Sequence, residues 1–436
     1  MALESRPQDP SECGPDYWRA LCPWLHVGNA HYQNQFLTAA AETAATAAKE
    51  RGEGRGSAAD RKRLVNEGYT TMGTADAALT SSLARCAVRL RECGWPASFM
   101  IMYDEAFALS HCVDTRMLAL TGRNANNGDM LAWFIDPNEN EAGFSPHRDR
   151  QPEDLAASFF TDDADSKIPC YTTAWVALTD ATPENSCLYV VPAQHDPGYF
   201  DGDVDDVDPL QRCLPDKTGW QNIRACPVVA GDGVFFSHRI LHWGSRGRKG
   251  YATPRIALSV ACADDAFEPC FFDRAALPFP PPALRMALAC AQMVCYHERF
   301  QFTAKDMRFF ASVFRSHSSL FTVNYRTKVL KDLIPAIEEA MKRGAATAGD
   351  APPAPVPSAP KVSSTATSAW HTQSDEEDDD LDAALMQMLD AAADGGEDGD
   401  LAFHDDFDAA GEGLVAEPGT KKRRKDDAAA MGAGGS

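Results

Sequence analysis

From Pro96 to about Phe272 the sequence is a succession of short β-branched and aromatic runs with no helical pattern between them. The runs are SFMIMYDEAFAL, DMLAWFID, YTTAWVALTD, CLYVVPA, ACPVVAG, GVFFSHRI and RIALSVAC, and turn residues such as PNEN, ATPENS and AGDG divide them. Segments of this length and composition, bounded by Pro, Asn and Gly, read as strands. Many short strands without crossover helices indicate a sandwich or barrel of the jelly-roll kind. The expected fold is therefore mainly β with flanking α, built on a double-stranded β-helix (jelly roll, cupin-like).

Helical spacing frames this core. Gln33 to Glu50 and Thr74 to Cys93 are rich in Ala, Leu and Arg, with the Gly- and Arg-containing stretch RGEGRGSAADRKR between them, and helical pattern returns from Ala283 to Arg343. The folded domain is expected to span 1–343, with the jelly-roll core at about 96–272. From 344 to 436 the chain is Pro/Ala-rich and then acidic, with too few large apolar residues for a core, and reads as disordered.

That tail changes how the charge is understood. Asp375 to Glu417 holds 17 acidic residues and no Lys or Arg, and contributes most of the formal net charge of −22. The remainder is only mildly acidic, which does not indicate a broad basic surface for gripping nucleic acid. Within the tail, Leu381, Leu385, Met388 and Leu389 fall at helical spacing. They suit either an amphipathic segment that docks on a protein partner or a solvated tail with incidental leucines. Lys421, Lys422, Arg423, Arg424 and Lys425 resemble a nuclear import signal. The 13 cysteines, odd in number and without a C-x-x-C pair, suit reduced thiols in an intracellular protein of nucleus or cytoplasm. MALESRPQDP has no signal-like apolar run and no stretch of membrane-spanning length follows, so neither secretion nor a membrane is expected.

Chemistry enters at FSPHRDR, residues 144–150, where His147 and Asp149 lie one residue apart. Such pairs also arise by chance, as His404-Asp405-Asp406 does in the tail. A catalytic metal that must keep positions open for other reactants needs protein ligands on one face only, which two imidazoles and one carboxylate provide. In an extended segment, residues i and i+2 project from the same face. The third ligand must come from a later strand, and GDGVFFSHRILHWGSRG offers His238 and His242.

Five elements now stand in sequence order: His147-x-Asp149; Trp175 to Asp180; Ser186-Cys187-Leu188 running to Pro192 and His195; Gly231-Asp232 with the strand to His242; and Arg255. Together, over roughly Phe144 to Cys262, they closely resemble the phytanoyl-CoA dioxygenase family of Fe(II)/2-oxoglutarate oxygenases. The resemblance implies that His147, Asp149 and His242 hold Fe(II), with His238 a turn residue and His195 in a loop near the metal. It implies that Arg255 anchors the far carboxylate of 2-oxoglutarate, for which a bidentate guanidinium is suited. Trp175 would pack beside the co-substrate. Ser245 would contact it too, although it lies three residues after His242 where the family spacing is His-x-Ser. O2 is the other co-substrate, and 2-oxoglutarate would be decarboxylated to succinate. The acid at 149, which related halogenases lack, favours hydroxylation or another oxidation, and no side chain need act as general acid or base.

The substrate is less constrained. Arg148 and Arg150 flank Asp149, while Arg239, Arg246, Arg248 and Lys249 surround His242. These charges either line an entrance for a small anionic substrate or are loop charges paired with the chain's many acids. Three readings stay open: a small-molecule hydroxylase, a nuclear oxygenase acting on protein or nucleic acid, and a non-catalytic jelly-roll interaction protein recruited through its tail.

Overall fold

Eight strands form two antiparallel sheets among the described residues of the computed structural model, which are 5–50, 55–139, 141–150, 159–161, 167–204 and 207–347. The strands are β1 (Tyr69–Gly73), β2 (Ala125–Ile135), β3 (Tyr171–Ala177), β4 (Leu188–Val191), β5 (Arg224–Cys226), β6 (Asp232–Ser237), β7 (Leu241–Gly244) and β8 (Arg255–Ala263). The larger sheet has the order β1-β6-β3-β8-β2 and the smaller β5-β4-β7. Their apolar faces share one core, in which Trp175, Val234, Phe236 and Ala257 of the large sheet pack with Leu188, Val190 and Cys226 of the small one. Period-2 alternation is lost in β3, where every residue is buried because helices cover the other face of the large sheet.

Helices are more prominent than the expectation of a mainly β chain allowed. SFMIMYDEAFAL is not a strand: Ala97–Met102 forms a 3-10 turn and Asp104–Thr121 an α-helix closed by Gly122 in the left-handed conformation, φ 78°. A continuous apolar run has no period to distinguish a buried strand from a buried helix. Here the first six helical residues after the turn are all buried, including Asp104, which pairs with the equally buried Arg285 at 2.6 Å.

A second difference lies in RGEGRGSAADRKR, expected as a separator. Arg55–Glu67 is helical, and Leu64 is fully buried. Ala, Arg and Lys are good helix formers, and burying one leucine contributes about 1.5–3 kcal/mol. The helix leads directly into β1, a strand missed in sequence, at the edge of the large sheet against β6. The flanking helices Ala30–Glu50 and Ala77–Glu92 lie where expected, and Pro282–Cys295, Ala304–Ser316 and Val323–Thr347 follow the core. The last helix continues to Thr347, four residues into the stretch expected to be disordered, and the rest of that stretch, with the segment from Leu381 to Leu389 and the basic cluster from Lys421, falls outside the described residues.

Candidate functional site

The loop carrying FSPHRDR is laid against β7. His147 and His242 form an isolated antiparallel bridge in which each backbone N–H donates to the other's carbonyl at 3.0 Å. Directly opposed residues on such a pair project their side chains to the same side, and the two imidazole centroids are 4.4 Å apart. Asp149 completes the group: its Oδ1 lies 3.6 Å from His147 Nε2 and 3.8 Å from His242 Nε2. The three donor atoms all lie within 4.8 Å of one another, a spacing that one metal ion can bridge.

Tautomers follow from the other ring nitrogens. His147 Nδ1 lies 2.7 Å from the Ser145 carbonyl and His242 Nδ1 3.2 Å from the Ile240 carbonyl. A carbonyl only accepts, so each Nδ1 carries a proton, which leaves each Nε2 as the ring atom facing Asp149 and available to a metal ion. Burial drives His242 down to about 4, against the opposing pull of Asp149. Burial alone would raise the Asp149 carboxyl, but the facing imidazoles of His242 and His147 hold it well below the usual carboxylate range. A neutral His242 and an ionised Asp149 are in the protonation states that ligation of a divalent ion requires.

Arg255 lies at the start of β8 and is buried, its guanidinium 5.3 Å from the Trp175 ring. Nη1 donates to the Ser186 carbonyl at 3.0 Å, Nε has no hydrogen-bond partner, and no acid pairs with it among the described residues. Burial lowers it to about 10. A buried guanidinium without an anion is costly, so a carboxylate from a ligand fits the position. Ser245 follows β7 and its buried Oγ has no hydrogen-bond partner among the described residues, whereas Gly244 is the position that faces Arg255 Nη1.

A family model described as phytanoyl-CoA dioxygenase (PhyH) matches residues 32–250, half of the chain. The chain belongs to the phytanoyl-CoA dioxygenase family. It is an Fe(II)/2-oxoglutarate-dependent oxygenase, with a jelly-roll-like fold and with iron and 2-oxoglutarate as its cofactors. The residues present fit both cofactors: three converging donors suit a metal ion, and the buried Arg255, without an acid partner among the described residues, suits a carboxylate.

Similar solved structures include the non-heme alpha ketoglutarate dependent epimerase SnoN from nogalamycin biosynthesis, 20% identical over 48% of this chain and 80% of that chain, TM-score 0.36. SnoN in complex with Fe3+, alpha ketoglutarate and nogalamycin RO is 22% identical over 48% and 83%, TM-score 0.36. AviO1 from Streptomyces viridochromogenes is 19% identical over 48% and 95%, TM-score 0.35. At these scores the likenesses carry nothing about substrate or outcome. No curated protein matches the chain.

The remaining residues singled out in sequence are sorted by their partners. His238 is outside the donor cluster: its ring stacks on Tyr171 at 3.9 Å and its Nε2 meets Thr173 Oγ1 at 2.6 Å. Burial holds it down to about 3, hence neutral. His195 ends the short turn Ala193–His195, which packs against the helix Arg55–Glu67.

Arg148 does not line an entrance. Its side chain is fully buried, forked onto Asp196 and bonded to Asp203, with Nη1 also donating to the Arg239 carbonyl at 2.6 Å. Arg150 pairs with Glu268 at 2.6 Å and lies over Tyr171. Arg239 is buried over Phe159.

Two residues near the site were missed in sequence. Arg299, from a turn after the core, rests 4.6 Å above Phe144, whose ring meets that of His147 at 6.1 Å. Its charge is felt at His242, and it has no acid partner among the described residues. Ser186 precedes β4 beside Arg255. Arg299 sits in no motif that a sequence scan would register, and Ser186, although it opens the Ser186-Cys187-Leu188 element, had no role assigned to its side chain. Among the described residues no helix is long and apolar enough to cross a membrane.

Proposed function

We propose that this oxygenase hydroxylates a small organic anion, with His147, Asp149 and His242 holding Fe(II) and Arg255 holding the distal carboxylate of 2-oxoglutarate. The observation that carries the reading is the coincidence in one chain of three convergent donors and a buried guanidinium without an anion among the described residues. Bound iron supplies the redox centre for decarboxylation of 2-oxoglutarate to succinate and oxidation of a substrate C–H bond.

The chain's own residues orient and exclude. The Ser145 and Ile240 carbonyls hold the imidazoles in register. Phe236, 4.7 Å from the His242 ring, and Phe144 wall the donors with apolar surface. Trp175 packs on the guanidinium that meets the co-substrate. With iron bound, a carboxylate at 149 would hold the metal where related halogenases lack this acid, which favours hydroxylation. Ser245 is assigned no direct contact with 2-oxoglutarate.

For the substrate's charge, Arg299 replaces Arg148 and Arg150 as the supporting residue, because those two are neutralised by internal acids. The small-molecule reading is favoured over a macromolecular target by the domain's mildly acidic balance. Residues 1–343 form the catalytic unit in this proposal. The tail from 344 is a docking segment for a protein partner, and Lys421 to Lys425 an import signal. A truncation at 343 that retains turnover of a small substrate separates both tail roles from catalysis.

The test is anaerobic addition of Fe(II) and 2-oxoglutarate to purified protein, followed by visible absorption. A weak charge-transfer band is expected in the wild type and not in His147→Ala. Absence of the band in wild type, or its persistence in the variant, refutes the assignment. Succinate release across a panel of carboxylates, phosphates, acyl thioesters and neutral metabolites then tests the anionic preference.

A further inference from the structure

Ser186 is difficult to account for by the fold alone. Its side chain is fully buried, and its Oγ has no hydrogen-bond partner among the described residues. Its backbone is left-handed, φ 76° and ψ 52°, where a side chain crowds the following carbonyl. Glycine would remove both the orphaned hydroxyl and the crowding. A serine that burdens the free protein twice is explained by a ligand that uses its hydroxyl.

The direction of that hydroxyl is fixed by Gly244. A Cβ built there would lie 3.1 Å from Ser186 Oγ and 3.3 Å from Arg255 Nη1, so hydroxyl and guanidinium border the same bare stretch of β7. Position 244 cannot supply a hydroxyl itself, because that Cβ would also come within 2.8 Å of the Gly143 Cα. The Ser186 carbonyl already accepts from Arg255 Nη1, which ties the residue's main chain to the guanidinium.

We propose that Ser186 is a co-substrate-binding residue whose Oγ donates a hydrogen bond to the distal carboxylate of 2-oxoglutarate, beside Arg255. The proposal rests on the reading of Arg255 given above. It assigns the hydroxyl contact to Ser186 in place of Ser245. Arg255 brings charge, and Ser186 brings a neutral donor that a monocarboxylic 2-oxo acid cannot engage.

The test is calorimetric titration of 2-oxoglutarate into the full chain loaded with Mn(II), with 2-oxobutyrate as the probe that keeps the 2-oxo acid and lacks the distal carboxylate. Ser186→Ala, as crowded as serine, weakens 2-oxoglutarate binding roughly tenfold, the value of one hydrogen bond to a charged group, and leaves 2-oxobutyrate unchanged. Ser186→Gly weakens it equally while raising the melting temperature, opposite signs that a purely structural turn residue would not give. The inference is overturned if both variants bind 2-oxoglutarate as the wild type does, or lose 2-oxobutyrate by the same factor. Arg255→Leu separates the two ideas: if it abolishes 2-oxoglutarate binding while the Ser186 variants are silent, Arg255 stands and Ser186 falls. If Arg255→Leu is also silent, the Arg255 reading itself fails.

Discussion

Replacing Arg148 by methionine should unfold the site's support without removing any metal donor. Arg148 lies between His147 and Asp149 in sequence but faces the opposite way, with none of its side chain exposed. Its Nε meets Asp203 at 3.0 Å, Nη2 meets Asp196 Oδ1 at 2.7 Å, and Nη1 is shared between Asp196 and the Arg239 carbonyl. Burial alone would lower the guanidinium, but Asp196 and Asp203 raise it and keep it charged. Asp196 is itself fully buried, so Arg148→Met strands a carboxylate away from water, at a cost of about 3–5 kcal/mol. At about 2 °C per kcal/mol, the lower end for large domains, the melting temperature should fall by roughly 6–10 °C. Adding Asp196→Asn removes the stranded charge, so the double variant should recover part of the loss, while Asp196→Asn alone should be destabilising. Differential scanning calorimetry of the four proteins reads this cycle. A melting temperature for Arg148→Met within a degree of wild type would show that the guanidinium is not a structural anchor, and would restore it as a candidate substrate contact.

The other predictions are narrower. Alanine at His147, Asp149 or His242 should each abolish stoichiometric Fe(II) retention measured by metal analysis, whereas His238→Gln should retain iron; loss in the last variant would move His238 into the ligand set. His238 also predicts a pH effect. Its folded value of about 3 lies below the unfolded value near 6.5, so its contribution to stability is complete above about pH 6.5 and is lost as pH falls toward 3. The urea midpoint of His238→Gln should therefore drop less than that of wild type between pH 7 and pH 4.5, and equal drops would contradict the assignment. Once a turned-over anion is found, Arg299→Ala should raise its KM by roughly tenfold with kcat little changed, in line with loss of one charge-assisted contact; an unchanged KM would remove Arg299 from the substrate path.

How much of this was legible in the sequence depended on whether a residue's role is local. His147, Asp149, His242 and Arg255 stand in the short motifs that carry the family resemblance, and the structure brings the three donors together and leaves Arg255 buried and without an acid partner among the described residues. Arg148 and Arg150 were visible, but their partners Asp196, Asp203 and Glu268 lie far along the chain, so the sequence left open whether they line an entrance or pair with internal acids, and the structure shows the pairing. SFMIMYDEAFAL was misread because a segment buried on all sides gives no period. Ser186 was hidden for another reason: its significance lies in a backbone angle and a missing hydrogen bond, and neither is written in residue types.

The bridge between His147 and His242 has a consequence for which ions and small anions the centre accepts. Two peptide-to-peptide hydrogen bonds set the separation of the imidazoles, so it is a property of the main chain and not of whichever ion sits between them. Selectivity among divalent ions is then left to the third donor and to the open coordination positions. Residue 149 becomes a replaceable module: an exchange there alters the charge and vacancy of the centre while the histidine pair keeps its bite.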